Sequence, residues 1–484
     1  MFDLVAVVIA LGLLMYLAFR GYTLILLAPG TALLAAALTG GLPILAAYTQ
    51  IFMSNTGQFI IAFFPLFLLG AIFGKLMDDT GSARSIARSV STALGPKRAI
   101  ASVVLCCAVL TYGGVSAFVV AFAIYPVAAA LFRDADIPKR LIPGALALGA
   151  FSFTMSALPG TPAIQNAIPM PFFGTTAFAA PGLGIVASLI MLAFGLVWLE
   201  RRAAGARARG ERYGAHADNL PEMDVVMREQ AQSEGFDIAE LKARPPADKD
   251  MPAFGLALLP IVVVIVSNFV FIQLILPRMD TSYLADPLFG DTNIESVRGV
   301  WAIIIGLFLA ILLLIAANRG RLVDLRASLD KGADASVLPI FNTASLVGFG
   351  AVIAALPVFA TISQAAMSIG GGNPLVSVAG SVALLSAMTG SASGGMTIAL
   401  DALGADFVSM ANAAGTSLEA MHRVTAVASG ALDALPHNGA VITLLAVCKL
   451  THRDSYADVL MTSIVGPIIA LAVIIVIASL AGSF

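Results

Sequence analysis

Thr111-Tyr112-Gly113-Gly114-Val115-Ser116 interrupts an apolar stretch that runs from residue 98 to residue 132. One crossing of a bilayer takes about 20 apolar residues as helix, so the stretch is too long for a single comfortable span. Basic residues bound it at both ends, and because Lys and Arg stay on the cytoplasmic side, both ends belong there and the chain must enter and return. A string of small residues does not suit the middle of a lipid-facing helix. It does suit the tip of a re-entrant hairpin, which is tolerated at membrane depth when buried in protein or lining a water-filled cavity. A second such string, Thr389-Gly390-Ser391-Ala392-Ser393-Gly394-Gly395, divides the stretch 374–410, which charge-poor or acidic segments bound on the other side.

Composition sets the frame for these hairpins. Of 484 residues, 59% are hydrophobic and 12% charged, against about 25% charged in an ordinary soluble domain. The membrane is therefore the solvent for most of the chain. The formal net charge of −2 and the lack of a basic patch interleaved with aromatics exclude nucleic acid as a partner. Cys106, Cys107 and Cys448 lie in apolar segments without metal-ligand spacing, so neither a disulfide framework nor a metal site is expected, and no cofactor. The first apolar run lacks a basic leader and a cleavage site, and reads as a retained helix.

Arg20 and the stretches 75–98, 133–140, 201–249, 319–331 and 449–453 are basic and are placed inside. Segments 40–58 and 361–374 carry no charge and are read as outer loops. The expected fold is an all-α membrane protein of about ten transmembrane helices plus two re-entrant hairpins, with both termini periplasmic and the protein in a bacterial inner membrane. Shifting the sequence by 277 residues aligns Gly95 with Gly372, Gly113 with Gly390, Ser116 with Ser393, and residues 157–159 with 434–436. One hairpin opens inward and the other outward, which predicts an inverted repeat. The first membrane half is 1–199, with hairpin 98–132 and a broken helix near 141–170. A charged cytoplasmic linker, 200–252, is read as a solvated connector with helical pieces near 220–243. The second half is 253–484, with hairpin 374–411 and a broken helix near 424–448.

The breaks carry the chemistry. Proline removes a backbone donor and glycine admits unusual dihedrals, so Ala157-Leu158-Pro159-Gly160-Thr161-Pro162 and Ala434-Leu435-Pro436-His437-Asn438-Gly439 should each interrupt a helix at the midplane. The following half-helix then points unpaired N–H groups and a positive dipole end at a carboxylate. That route is the expected one, because the sequence offers no well-placed intramembrane Arg or Lys. Substrate-binding candidates are Gly113, Gly114, Ser116, Gly160, Thr161, Gln165, Asn166, Ser391, Ser393, Gly394, His437 and Asn438. The alternative for each is local, with Pro and Gly kinking helices and Ser or Thr satisfying nearby backbone. Asp433, an acid in a membrane helix, is with His437 the candidate proton carrier, the alternative being a helix cap. Asp401 and Asp406 rank below it, near the outer end of the second hairpin.

Together the strings 111–116, 158–162 and 435–439 resemble the gluconate permease (GntP) family of the ion transporter superfamily. That resemblance implies proton-coupled uptake of sugar acids or other small hydroxy and amino acids by a homodimer with a scaffold and an elevator-type moving domain. After Pro162 comes Ala163-Ile164-Gln165-Asn166, where a denser Pro-rich run is expected of the sugar-acid permeases. A shorter hydroxycarboxylate such as 3-hydroxybutyrate or lactate suits Ile164, Ile168 and Met170 equally well. Sodium coupling is the main variant, since unwound carbonyls bind sodium without a carboxylate. A passive anion channel and an intramembrane enzyme are the readings of other classes. No His-Glu-x-x-His and no Gly-x-Ser-x-Gly elbow supports the enzyme, and a transporter is expected.

Overall fold

Away from water a backbone must satisfy its own N–H and C=O groups, and the long runs of Ala, Leu, Ile and Val do so here as helices. The computed structural model describes residues 2–20, 22–214, 251–436 and 438–484, and no strand occurs among them. Helices α1 (Phe2–Phe19) and α2 (Leu24–Thr39) form a hairpin, followed by the single turn α3 (Ile44–Ala46), a π-helical turn and α4 (Met53–Asp79). Amphipathic α5 (Ser82–Leu94) leads into α6 (Ala99–Tyr112) and α7 (Ala117–Asp134). Then come α8 (Ile142–Ala150), α9 (Phe153–Ser156), α10 (Ile164–Ala167), α11 (Pro169–Phe173) and α12 (Pro181–Ala208). Beyond the segment 215–250 the described helices are α13 (Phe254–Val270), α14 (Ile294–Ala317), α15 (Leu325–Ala354), α16 (Phe359–Ser368), α17 (Pro374–Thr389) and α18 (Ala392–Ala413). The chain ends with α19 (Leu418–Ala431), α20 (Gly439–Val447), α21 (His452–Leu460) and α22 (Gly466–Ala481).

Among the described residues six helical stretches are long and apolar enough to cross a membrane: Ile44–Asp79, Pro181–Ala208, Phe254–Arg278, Ile294–Ala317, Leu325–Ala354 and His452–Ala481. Four shorter apolar helices accompany them, at Asp3–Ala18, Leu24–Thr39, Ala99–Tyr112 and Pro374–Thr389. The protein is thus a multi-pass helical membrane protein. Two segments read as outer loops prove largely helical. Only residues 40–43 separate α2 from α3, and α16 occupies most of 361–374. Lack of charge tells which side a segment faces and says nothing against helix.

Both small-residue strings are turns between packed helices. The first joins α6 to α7 and the second joins α17 to α18. At Gly395 a Cβ would run into the backbone of Ser386, so the α17–α18 pair closes only over glycine. One apolar core spans α4 to α22, while a second gathers α1, α2, the C-terminal half of α15 and Ile398 of α18. Helix α12 continues past residue 200 to Ala208, where Arg202 Nε donates to buried Asp458 at 2.9 Å. The expected helical pieces near 220–243 lie outside the described residues.

Candidate functional site

The two hairpin turns and the two helix breaks meet around one cavity of about 650 Å³. Its size is that of an ordinary small-molecule site. From the first half come Thr111, Gly114, Ser116, Pro162, Ile164 and Gln165; from the second come Gly390, Ser391, Ser393, Asp433 and Asn438. At the other end the walls are Lys75 and Asp78 of α4 with Lys331 and Asp334 of α15, the last two exposed. Leu66, Phe67, Val115 and Met155 supply apolar wall between these ends.

Three helices of at least two turns begin at the cavity. Ser116 is the N-cap residue of α7, and its hydroxyl makes no capping bond. Ser391 caps α18, its Oγ accepting from Gly394 N at 3.1 Å, and Asn438 caps α20, its Oδ1 accepting from Ala440 N at 2.6 Å. Helix N-termini carry partial positive charge and spare N–H groups, so their convergence favours an anion. Gly114 lets the first turn form: its φ of +93° is glycine territory, and a Cβ would stand 2.7 Å from Pro162 Cγ, in the first break.

Asp433 sits in the second break, between α19 and α20, rather than within a helix. Asn438 Nδ2 donates to its Oδ1 at 2.9 Å, to Gly390 O at 2.8 Å and also to the Asp433 carbonyl. The amide of Ala392, first residue of α18, bonds the same carboxyl. The acid therefore ties a helix break to a hairpin turn. It also borders a void of about 10 Å³ beside Ser463, whose hydroxyl is buried with no partner among the described residues. His437 lies outside the described residues.

Five other sequence candidates stand off the cavity. A Cβ on Gly113 would reach Ile261 Cγ1 at 2.6 Å, one on Gly160 would reach Phe178 Cε1 at 2.5 Å, and one on Gly394 would strike Leu346, so all three serve close packing. Thr161 is fully buried, and its hydroxyl accepts from Ala163 N. Asn166 is fully buried and fully used: Nδ2 donates to Thr161 O and Ala177 O, both at 2.9 Å, while Oδ1 faces His422 Nε2 at 3.2 Å and Arg423 Nη1 at 3.0 Å. Two carbonyls on one side and two donors on the other fix the amide's orientation. Ile168 and Met170 are likewise buried in packing.

Arg423 corrects the expectation that no cation lies inside. This residue of α19 is fully buried, with Nε donating to Ala179 O at 3.1 Å and Nη2 to Ala179 O at 2.8 Å and Ala177 O at 3.2 Å. Among the described residues its hydrogen-bond partners are neutral oxygens. Beside it, His422 Nδ1 lies 2.6 Å from Thr175 Oγ1. Nε2 donating to Asn166 Oδ1 leaves Nδ1 to pair with the Thr175 hydroxyl. The sequence signal is slight: an Arg five residues past the start of α19, just before the apolar run that leads to the second break.

The family model described as GntP family permease matches residues 2–203, which hold the first hairpin turn and the first break. A Bacillus subtilis (strain 168) protein named "Uncharacterized transporter YxjC" is 44% identical over 479 residues, covering 98% of each chain. The chain belongs to the GntP permease family. It is a membrane transporter and not an enzyme. In this permease the matched first half contributes unoccupied hydroxyls to the cavity, and the second half contributes the acid.

Proposed function

We propose that this permease is a secondary active transporter that couples uptake of a small organic anion to a proton. The anion would be a gluconate-like sugar acid or a short hydroxycarboxylate. The observation that carries the reading is the meeting of three helix N-termini at one cavity whose inner end offers no Lys or Arg among the described residues. Such a floor binds a carboxylate through N–H dipoles and releases it readily, as a carrier must. The ligands are Gly114, Ser116, Gln165, Ser391, Ser393 and Asn438, with Asp433 carrying the proton and His437 a candidate to share it. Gly113, Gly160, Thr161, Asn166 and Gly394 shape and brace the site.

The proton is preferred over sodium for a local reason. The carbonyls of Gly390 and Asp433, which an unwound sodium site would use, already accept from Asn438 Nδ2. In the arrangement we infer, α6–α7 and α17–α18 are re-entrant hairpins in an inverted repeat of halves 1–199 and 253–484, joined by the linker 200–252. Helices α6 and α17, at 14 and 16 residues, rise only about 21 and 24 Å, short of a core of about 30 Å. The remaining helices give about ten spans with both termini periplasmic in a bacterial inner membrane. The separate core of α1, α2 and α15 is the candidate scaffold for an elevator-type motion in a homodimer.

Proteoliposomes test this directly. Gluconate, 3-hydroxybutyrate and lactate, each radiolabelled, are offered under an inward pH gradient and, separately, under a sodium gradient. At least one should accumulate above equilibrium with the pH gradient alone. Asp433→Asn should abolish that accumulation, by about tenfold or more, while exchange of internal for external substrate continues. Accumulation driven only by sodium would establish the sodium symporter, equilibration without accumulation would establish a channel, and full proton-driven uptake by Asp433→Asn would remove Asp433 from coupling.

A further inference from the structure

We propose that Thr111 is the specificity residue of the cavity, recognising the hydroxyl of the transported acid on the wall built by α6 and α7. This rests on the carboxylate reading above and adds to it which side of the cavity reads the rest of the molecule.

A threonine in a helix ordinarily returns its hydroxyl to the carbonyl four residues back. Thr31 does so to Leu27 O at 2.7 Å, Thr80 to Leu76 O at 2.8 Å, Thr397 to Ser393 O at 2.7 Å and Thr462 to Asp458 O at 3.0 Å. Thr111, in the last turn of α6, does not. It lines the cavity, is 3% exposed, and its Oγ1 is buried with no hydrogen-bond partner among the described residues. A buried hydroxyl without a bond is destabilising and calls for a partner. Other buried oxygens in that condition, on Thr56, Tyr125, Asn268, Ser381, Thr425, Thr443 and Ser463, do not line this cavity.

The facing wall makes the assignment sharper, because its hydroxyls are already used. Ser391 Oγ caps α18 through Gly394 N, and Ser393 Oγ pairs with Ser391 Oγ at 3.3 Å. The unused oxygens therefore lie on the first-half wall, at Thr111 and at Ser116 beside the uncapped start of α7. A short hydroxy acid carries a carboxylate and a hydroxyl one or two carbons apart. The α6–α7 turn offers a partner to each: the α7 N-terminus to the carboxylate and Thr111 to the hydroxyl.

Paired ligands separate this role from a structural one. Purified protein in nanodiscs is titrated calorimetrically with 3-hydroxybutyrate against butyrate and with lactate against propionate. Wild type should prefer the hydroxylated member of at least one pair. Thr111→Val, nearly isosteric and relieved of an orphan hydroxyl, should keep or raise the thermal midpoint and bind the deoxy acid within about twofold, while its preference for the hydroxy acid falls by about tenfold. Thr111→Ser should keep the preference. A preference unchanged in Thr111→Val, or equal weakening of both members, would overturn the role of Thr111 and leave the carboxylate site standing. Binding of none of the four acids to wild type would overturn the role of Thr111, and failure of gluconate to bind as well would overturn both.

Discussion

The two helix breaks of this permease face the same cavity but are held in opposite ways. Behind the first, the polar groups are spent on structure: Gly160 N donates to Ala177 O at 2.8 Å, Tyr112 Oη to Pro159 O at 2.8 Å, and Arg423 with Asn166 clamps the segment, which leaves Gln165 facing the cavity. Around the second, Asn438 is the principal tie, bonding Asp433 and Gly390 at once, with Tyr456 Oη reaching Ala434 O at 3.2 Å and His452 Nε2 reaching Pro436 O at 2.9 Å. The first break is a braced wall. The second is a joint, and it holds the acid. A carrier needs both, since a ligand site must keep its shape while something beside it responds to the coupling ion.

The comparison breaks first at Arg423. Arg423→Met takes both guanidinium donors from the Ala179 carbonyl and one each from the Ala177 carbonyl, which keeps Gly160 N and Asn166 Nδ2, and from Asn166 Oδ1, which keeps His422 Nε2; a buried acceptor left unmet costs about 1–3 kcal/mol. We expect the largest loss of any single change discussed here, seen as a collapse of the thermal midpoint of purified protein or failure to recover it monodisperse. Arg423→Lys should recover part of it, because one ammonium cannot span three acceptors. An unchanged midpoint for Arg423→Met would mean that the wall is braced by packing alone.

Asn438→Ala acts on the other side of the comparison. It removes an N-cap, costing about 1 kcal/mol, and frees Asp433 and Gly390 from each other. Stability should fall modestly while proton-driven uptake falls by about tenfold or more. The opposite pattern, a large stability loss with uptake per folded molecule intact, would make the second break as structural as the first.

How much of this was legible in the chain follows from the range of each interaction. The hairpin turns and the breaks are written locally, in Gly113-Gly114, Ser391, Pro159 and Pro436, because backbone sterics act over a few residues. The fate of Asn166 is not local. Its partner Arg423 lies 257 positions away, so an amide beside a break looked like a ligand until the fold placed a guanidinium against it. Segment 40–58 reads as a loop when charge is the only signal, although residues 44–58 belong to an apolar helical run, Ile44–Asp79. The asymmetry between the breaks was readable in part. At the 277-residue offset Asp433 falls on Ser156 (433 − 277 = 156), so only one half carries an acid there.

The smallest effect lies where the two broken segments share a footing. Arg140, at the entry to α8, donates from Nε to Glu211 Oε1 at 2.6 Å and from Nη2 to Oε2 at 3.0 Å, and from Nη1 to Asp458 of α21 at 3.3 Å. Asp458 also accepts from Trp198 Nε1 at 3.0 Å. The bond from Arg140 holds the Glu211 carboxyl below its usual range. A depressed folded-state pKa gives stability that is fully present above the ordinary glutamate value of 4.5 and fades as the pH falls through the lower folded value. Glu211 is about a third exposed, so solvent screens the pair and its worth is about 0.5 kcal/mol. Glu211→Gln should therefore lower the thermal midpoint by a small amount at pH 7, with the difference shrinking as the pH drops below 4.5 and as salt is raised. A midpoint difference that persists unchanged at low pH would show that the carboxylate charge is not what fastens this corner.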